Sequence, residues 1–505
     1  MTKKIKFVFG VHNHQPIGNF DEIIEDAYQH CYEPFISLVE KHPKIAVTLH
    51  YSGTLLDWFF SEHPEMIDRI RRLLNRKNIE LLSSAYYEPV LTAIPEEDRV
   101  GQIQKMNNLL HTAFGYEAKG MWLTERVWEP QLPQSIELAN IKYTALDEIN
   151  FRSSGVVQFP VKGYYNTEEN GHTVGVFSIS RKLRDMAPYS EPYAIIDFLK
   201  EQLSDNNQHV LVMLDDGEKF GIYPNTYDKV YKEQWLEKFF TLLEENEEWI
   251  QTTTLKAYYE KYTPQGLLYF PSASYFEMGE WALQAEIQKE FTDYLQEIES
   301  DGHLEDRRHF LRGGYWRNFM SKYLETNWMQ KRMQQITRKF RLLEMTANRK
   351  ESLRKIRNAL WKGMCNNAYW YGVYGGLYLP HLRRAVWQNL IYAEDKIDSR
   401  LFNLEDDYYV REESDINRNG LTDIKITARN YDAIFSVNTA GALVEFDFRP
   451  SLVNVCDMIR RIPEKYHDLI RCQKESNTKK YLHDEATLIP FSGDDLHYDS
   501  GPRYS

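Results

Sequence analysis

Along residues 1–304 the hydrophobic pattern repeats one motif: an apolar run of strand length that stops at polar, aromatic or acidic side chains, then a stretch with helical spacing. IKFVFGV runs into His12, Asn13, His14 and Gln15; IAVTL into His50; IELLSSA into Tyr87 and Glu88. GMWLT runs into Glu125 and Arg126, YTAL into Asp147 and Glu148, VLVML into Asp215 and Asp216, and GLLYF into Ser272, Ser274 and Glu277. Helical spacing fills intervals such as DEIIEDAYQHCYEPFISLVEK and PEMIDRIRRLLNRK. Alternating strand and helix predicts a parallel sheet. Polar residues gathered at the C-terminal ends of many such strands favour a β/α barrel, complete or lacking a strand. An open doubly wound sheet is the alternative, but no Gly-rich phosphate loop follows any strand.

Over 305–400 the texture changes to long amphipathic helices, such as RNFMSKYLETNWMQKRMQQITRKFRLLEMTA. Over 401–505 it changes to short alternating runs, IKITA, YDAIFSVNTAG and LVEFDFRP, separated by turn residues, which suits a β-sandwich. The final stretch HDEATLIPFSGDDLHYDSGPRYS brings no closing strand, so this third domain is expected to be a partial, truncated sandwich.

Composition narrows the range of functions. A net charge of −13 argues against a nucleic-acid or anionic-membrane surface, and no apolar stretch approaches membrane-spanning length. Tyr 34, Phe 25 and Trp 11 exceed what a core of this size needs, and exposed aromatic faces suit sugar rings. Cys31, Cys365, Cys456 and Cys472 show no CxxC spacing, and the opening MTKKIKFVFGV has no secretory pattern, so a cytoplasmic location is expected.

The run VLVMLDDGEKFG at 210–221 ends in two adjacent carboxylates, which repel one another and cost stability unless they are paired or have a task. One could cap a following helix, or Lys219 could pair with either. Glu125 has Arg126, Trp122 and Trp128 as neighbours, and an arginine keeps a carboxylate ionised. Glu125 and one of Asp215 or Asp216 could therefore be the two carboxyls of glycoside hydrolysis. His12 and His14, two apart at a strand end, point the same way. They could bind a metal with help from Asp215 or Asp216, or hydrogen-bond a substrate.

HNHQP at 12–16, AYYEP at 85–89, WLTERVWEP at 122–130, DDGEKFG at 215–221 and CNNAYWYGVYGGLYLPHLRR at 365–384, with FPSASYFEMGEWAL and RGGYWRNFMSKY, resemble the ordered sequence regions of glycoside hydrolase family 57. The 4-α-glucanotransferase and α-amylase branch is the most similar. The resemblance implies an incomplete (β/α)7 barrel, a helical region completing the active site and a C-terminal β-sandwich. It implies a retaining enzyme acting on maltooligosaccharides or α-1,4-glucan, with no cofactor required for catalysis. It places Glu125 as nucleophile and Asp216 as general acid/base. His12, His14, Glu88, Trp128, Glu218, Asn367 and Trp370 would bind substrate. The 4-α-glucanotransferase reading stands ahead of an α-amylase or a catalytically weakened glucan-binding relative; a metal-dependent polysaccharide deacetylase is the alternative from another class. A homodimer is compatible with the sequence.

The fifth region departs from the family pattern C-N-D-x-Y-W-H-G, having Asn367 for the acid and Tyr371 for the histidine. Asn keeps the shape but loses the charge. Separately, DINRNGLTD at 415–423 spaces Asp415, Asn417, Asn419 and Asp423 around Gly420, a candidate structural Ca²⁺ loop; the alternative is an Asn-Gly hairpin turn.

Overall fold

The computed structural model describes residues 3–346, 353–371, 375–402, 409–467 and 497–499, and its contacts divide the chain into two compact units. The first comprises residues 1–15, 20–279 and 298–315. Its frame is a mainly parallel sheet of β1 (Ile5–Asn13), β2 (Val47–Tyr51), β3 (Ile79–Leu81), β4 (Tyr143–Asp147), β5 (Tyr164–Glu169), β6 (His172–Ile179), β7 (Val210–Asp216) and β8 (Ile250–Thr252).

The order β3-β2-β1-β7-β6-β4 is joined at its ends by the 120–122 segment, through parallel bridges Ser83–Met121 and Gly120–Tyr143. The result is a seven-membered parallel ring, with the β6–β7 seam narrowed to the pair Ile179–Val212. β5 adds antiparallel to β6, and β8 runs parallel beside the start of β1.

The apolar runs are unbroken because the ring strands are covered on both faces. Phe7, Val8 and Phe9 of β1 and Val210, Leu211 and Met213 of β7 are all fully buried. At Gly10 a Cβ would come within 2.5 Å of the Thr48 carbonyl oxygen, so glycine lets β1 approach β2 closely.

The second unit comprises residues 16–19, 280–297 and 316–505. It contains the helices Leu324–Thr346, Arg354–Lys362 and Pro380–Leu401. The described part of the third region is an antiparallel meander of β9 (Tyr409–Ser414), β10 (Asp423–Ala428), β11 (Tyr431–Ser436), β12 (Ala442–Phe448) and β13 (Val453–Asn454). Cys472 and the stretch 483–496 of the expected sandwich lie outside the described residues.

Helices and sheet of this unit share a buried charge network. Arg332 donates to Glu445 Oε1 at 2.7 Å, Lys339 reaches Glu394 at 2.9 Å and Asp398 at 3.1 Å, and Arg449 reaches Asp432 at 2.8 Å. Lys425 also bonds Glu394. Charges this deep persist only because each finds an opposite partner, and removing one would strand another. Among the described residues no helix is long and apolar enough to cross a membrane.

Candidate active site

Strand register collects the polar strand ends of the first unit. In the parallel pairing of β1 with β2 and β7, His12 stands opposite His50 on one side and Asp216 on the other. Immediately after Asp216 the chain turns tightly at Gly217, where a Cβ would collide with the Asn13 side chain. The buried Cys31 thiol donates to the Gly217 carbonyl at 3.0 Å and fixes the turn from beneath.

The two adjacent aspartates have different environments. Asp215 is 1% exposed, accepts Arg184 Nε at 3.0 Å on Oδ1 and takes Lys219 Nζ at 2.7 Å on Oδ2. Burial pushes its pKa up, but Arg184 and Lys219 together overcome that and hold it well below the usual carboxylate range. Asp215 is thus a permanently ionised anchor. Asp216 is partly exposed, and its Oδ2 accepts the Tyr223 hydroxyl at 2.9 Å.

Glu125 lies in the short turn Thr124–Arg126, where Glu125 and Arg126 both have left-handed backbone, φ +52° and +48°. Glu88 is also left-handed, at φ +50°. Such conformations are costly for non-glycine residues and persist where surrounding structure imposes them. Here Ser274 donates to the Glu125 carbonyl at 2.6 Å, and the Tyr275 hydroxyl donates to Glu125 Oε2 at 3.0 Å. Desolvation and then the Asp216 charge raise the Glu125 pKa to about 7, against the opposing pull of Arg126 and Tyr275. The Arg126 guanidinium lies 4.5 Å from the Tyr275 ring centroid.

Glu88 is buried, and burial, with a smaller push from Glu125, raises it to about 8. Its Oε2 accepts Thr124 Oγ1 at 2.6 Å. Glu218 takes the His14 backbone N–H at 2.9 Å and the Tyr32 hydroxyl at 2.6 Å on Oε1, and burial raises its pKa to about 7. The His12 ring stacks on Trp122 with centroids 4.4 Å apart. Burial, then neighbouring histidines, hold His12 and His50 well below the ordinary imidazole value, so both are neutral.

The first unit thus brings together His12, His14, Glu88, Glu125, Asp216 and Glu218. Trp128 is 1% exposed, as Glu88 is, and packs against Phe270 with centroids 5.9 Å apart. Its backbone, three residues beyond Glu125, bridges to Ala273. Asn367 and Trp370 belong to the second unit. There Cys365 Sγ lies 3.4 Å from Asn367 Oδ1, Trp370 packs against Phe319 at 5.6 Å, and Tyr371 against Tyr378 at 5.5 Å.

Two further oxygen clusters could be considered for a cation. Asp415 accepts the amides of Asn419 and Gly420 at 3.0 Å, Asn419 Oδ1 that of Leu421 at 2.9 Å, Asn417 Oδ1 that of Asn419 at 3.2 Å, and Asp423 that of Ile416 at 3.2 Å. These bonds close the turn on itself. Glu394, Asp432 and Asp447 bring oxygens within 4.8 Å of one another, but Arg332, Lys339, Lys425 and Arg449 surround them. A cavity of about 290 Å³ in the first unit, lined by Asp147, Arg152, Phe159, Arg181, Phe198 and Arg308 among others, does not include Glu125 or Asp216.

Sequence reasoning gave no role to Tyr223, Tyr275, Tyr32, Arg184 or His50. The strand-end position of His50 was a usable signal, and Tyr275 lies inside FPSASYFEMGEWAL. Tyr32 and Arg184 sit on intervening helical segments, and pattern alone does not aim them at the site.

Comparison with known proteins supplies the family. The profile of glycosyl hydrolase family 57 matches residues 8–271; the alpha-amylase/4-alpha-glucanotransferase middle and C-terminal domain profiles match 314–397 and 415–505. An alpha-amylase of Pyrococcus furiosus is 40% identical over 490 residues, covering 97% of this chain and 72% of that protein. A 4-alpha-glucanotransferase of Thermococcus litoralis is 39% identical over 495 residues, covering 97% and 71%. The crystal structure of 4-alpha-glucanotransferase from the latter organism superposes with a TM-score of 0.86 at 38% identity, over 93% of this chain and 70% of that one. A family 57 branching enzyme structure from Pyrococcus horikoshii, at 12% identity and TM-score 0.55 over 79% and 92%, shares the fold. On the match over 8–271 and these relatives, the chain belongs to glycosyl hydrolase family 57.

Proposed function

We propose that this protein is a retaining α-glucan-active enzyme, a 4-α-glucanotransferase that moves α-1,4-glucan segments between maltooligosaccharides, with Glu125 as nucleophile and Asp216 as general acid/base. The observation that carries the reading is the division of labour among the carboxyls. Arg184 and Lys219 neutralise Asp215, while Glu125 and Asp216 are close enough that the Asp216 charge raises the Glu125 pKa. Relatives named 4-alpha-glucanotransferase and alpha-amylase, at about 40% identity, support it.

In the proposed cycle Glu125 attacks the anomeric carbon as the glycosidic C–O bond breaks, and Asp216 gives its proton to the departing oxygen. Tyr275 holds Glu125 Oε2, which leaves Oε1 to attack. Asp216 then takes the proton of an acceptor hydroxyl, whose oxygen displaces Glu125 and restores the free carboxylate. A sugar acceptor gives transfer and water gives hydrolysis.

Hydrolysis of the α-amylase type is the second reading, because relatives at the same identity carry that name. The free thiols of Cys31, Cys365 and Cys456 support a cytoplasmic setting. Purified protein incubated with maltotriose tests the proposal, with product ladder and reducing ends followed together. Longer and shorter products at constant reducing ends are expected, abolished in Glu125→Gln and Asp216→Asn. Rising reducing ends would favour hydrolysis, and binding of longer maltooligosaccharides without turnover would overturn the enzyme reading.

A further inference from the structure

His50 belongs to no part of the chemistry above, yet it touches both His12 and the surroundings of Glu88. It is 0% exposed, on β2 directly opposite His12 of β1, and the two Nδ1 atoms are 2.7 Å apart. On its other side, His50 Nε2 lies 3.6 Å from Glu88 Oε1 and has no hydrogen-bond partner. We propose that His50 is a positioning residue that transmits the hydrogen-bonding state of Glu88 to His12, setting His12 Nε2 as acceptor or donor toward the sugar.

The argument is a count of hydrogens. A neutral imidazole carries one N–H, and two Nδ1 atoms at 2.7 Å share one hydrogen between them. Two hydrogens there would clash and none would oppose two lone pairs, so the tautomers of the rings are locked together. If Glu88 is a carboxylate, His50 presents Nε2–H to it, its Nδ1 accepts from His12 Nδ1–H, and His12 Nε2 is left as an acceptor. If Glu88 is protonated, its O–H faces the His50 Nε2 lone pair, His50 Nδ1–H donates to His12, and His12 Nε2–H becomes a donor.

The geometry of Glu88 directs the proton to the right atom. Thr124 donates to Oε2 at 2.6 Å and Ser84 also bonds the carboxyl, while Oε1 is the oxygen facing His50, so the proton exchanged with His50 is the one on Oε1. The 3.6 Å separation is longer than a hydrogen bond and needs a small ring or carboxyl rotation to close, as unliganded sites often do. Trp122, stacked at 4.4 Å, fixes the plane of the His12 ring.

The other charged or titratable groups acting on the chain are His14 on both rings, Arg126 on His12 and Glu125 on Glu88. With burial raising Glu88 to about 8 and both histidines kept neutral, the exchange between the two states falls near neutral pH.

The link of His12 to sugar rests on the proposed function; the tautomer coupling does not. The test is nitrogen NMR of the whole protein labelled with ¹⁵N-histidine, the His12 signals assigned through His12→Gln, between pH 6 and 9.5 without substrate. His12 is expected to move from Nε2–H to Nδ1–H with the midpoint of the Glu88 carboxyl, followed in the same samples by ¹³C. His50→Asn keeps a polar partner for His12 but cannot reach Glu88, and it should abolish that movement. Glu88→Gln, which removes the titrating group, should abolish it independently if the His50 variant does not fold. With maltotriose, His50→Asn should lower kcat/KM about tenfold and remove the Glu88-linked limb of the pH profile. A His12 tautomer constant across this range, or one that still follows pH in either variant, would overturn the proposal. Normal NMR coupling with no turnover would instead count against the proposed function alone.

Discussion

Tyr275 donates its hydroxyl hydrogen to Glu125 Oε2 at 3.0 Å, and that bond favours the ionised form of a carboxyl whose pKa burial has raised to about 7. In its proposed role as nucleophile Glu125 must be ionised, so kcat/KM should fall as pH drops through about 7. Removing the bond raises the pKa further. Tyr275→Phe is therefore expected to move the acid limb upward by about 0.5–1 pH unit, with a loss of about 3–10-fold at pH 6 that shrinks at pH 8.5. A pH–rate profile checks it; an unshifted limb with a uniform loss would mean that Tyr275 orients without tuning.

Glu88, Glu125 and Glu218 are all raised by burial, to about 8, 7 and 7, from an ordinary 4.5. The folded state then binds protons more tightly than the unfolded chain. Their unfavourable contribution is absent below about pH 4.5, grows as pH rises, and is complete above about 8. Glu125→Gln removes one of these charges and should stabilise the protein by roughly 1–3 kcal/mol at pH 8.5, but hardly at pH 4.5. Thermal melts of both proteins at the two pH values decide it, and an equal gain at both would assign the effect to packing.

Asp215 presents the opposite case, a buried carboxylate held ionised by Arg184 and Lys219. Lys219→Met leaves the charge with one partner and should destabilise by about 3 kcal/mol, with activity falling as the loop carrying Asp216 loosens. Adding Asp215→Asn to that background should recover part of the loss, because the stranded charge goes too. Denaturant unfolding of both single variants and the double variant measures the coupling, and simple additivity would contradict the pairing argument.

The strand ends were legible because apolar runs covered on both faces stop where the sheet opens: His12, Glu88, Glu125 and Asp216 all stand at such stops. What was not legible depends on distant packing. No local pattern announces that Tyr275 reaches Glu125, 150 positions away, or that Arg184 faces Asp215. An aromatic beside a carboxylate looks alike in sequence whether or not its ring packs on another, as Trp128 does on Phe270. The parallel ring was recognisable from alternation, while its closure through the 120–122 segment rests on bridges too short to leave a periodic signature.

The Asp415–Asp423 turn predicts its own response to chelation. Its side-chain oxygens accept backbone amides that close the turn without an ion, while each oxygen keeps a further lone pair. Excess chelator is expected to leave the melting temperature within about 1 °C, whereas Asp415→Ala, which removes two of those bonds, should cost about 1–2 kcal/mol with or without Ca²⁺. A calcium-dependent rise in melting temperature that disappears in Asp415→Ala would establish a structural ion.

Asn367 stands where the family pattern has an acid, and Cys365 Sγ lies 3.4 Å from its Oδ1. An aspartate keeps that acceptor in place and is nearly the same shape, so Asn367→Asp should fold without rearrangement. What it changes is charge: the family resemblance implies an acid at this position that acts on the sugar, and under that proposed role a carboxylate would stabilise a developing oxocarbenium ion better than an amide, raising kcat more than it lowers KM. The expected result is a kcat for maltotriose transfer about 3–30-fold higher, with KM within about twofold. Initial rates at several substrate concentrations separate the two. A fall in KM at constant kcat would limit the proposed role of position 367 to ground-state binding, and unchanged kinetics or a loss of activity would count against the role the resemblance implies.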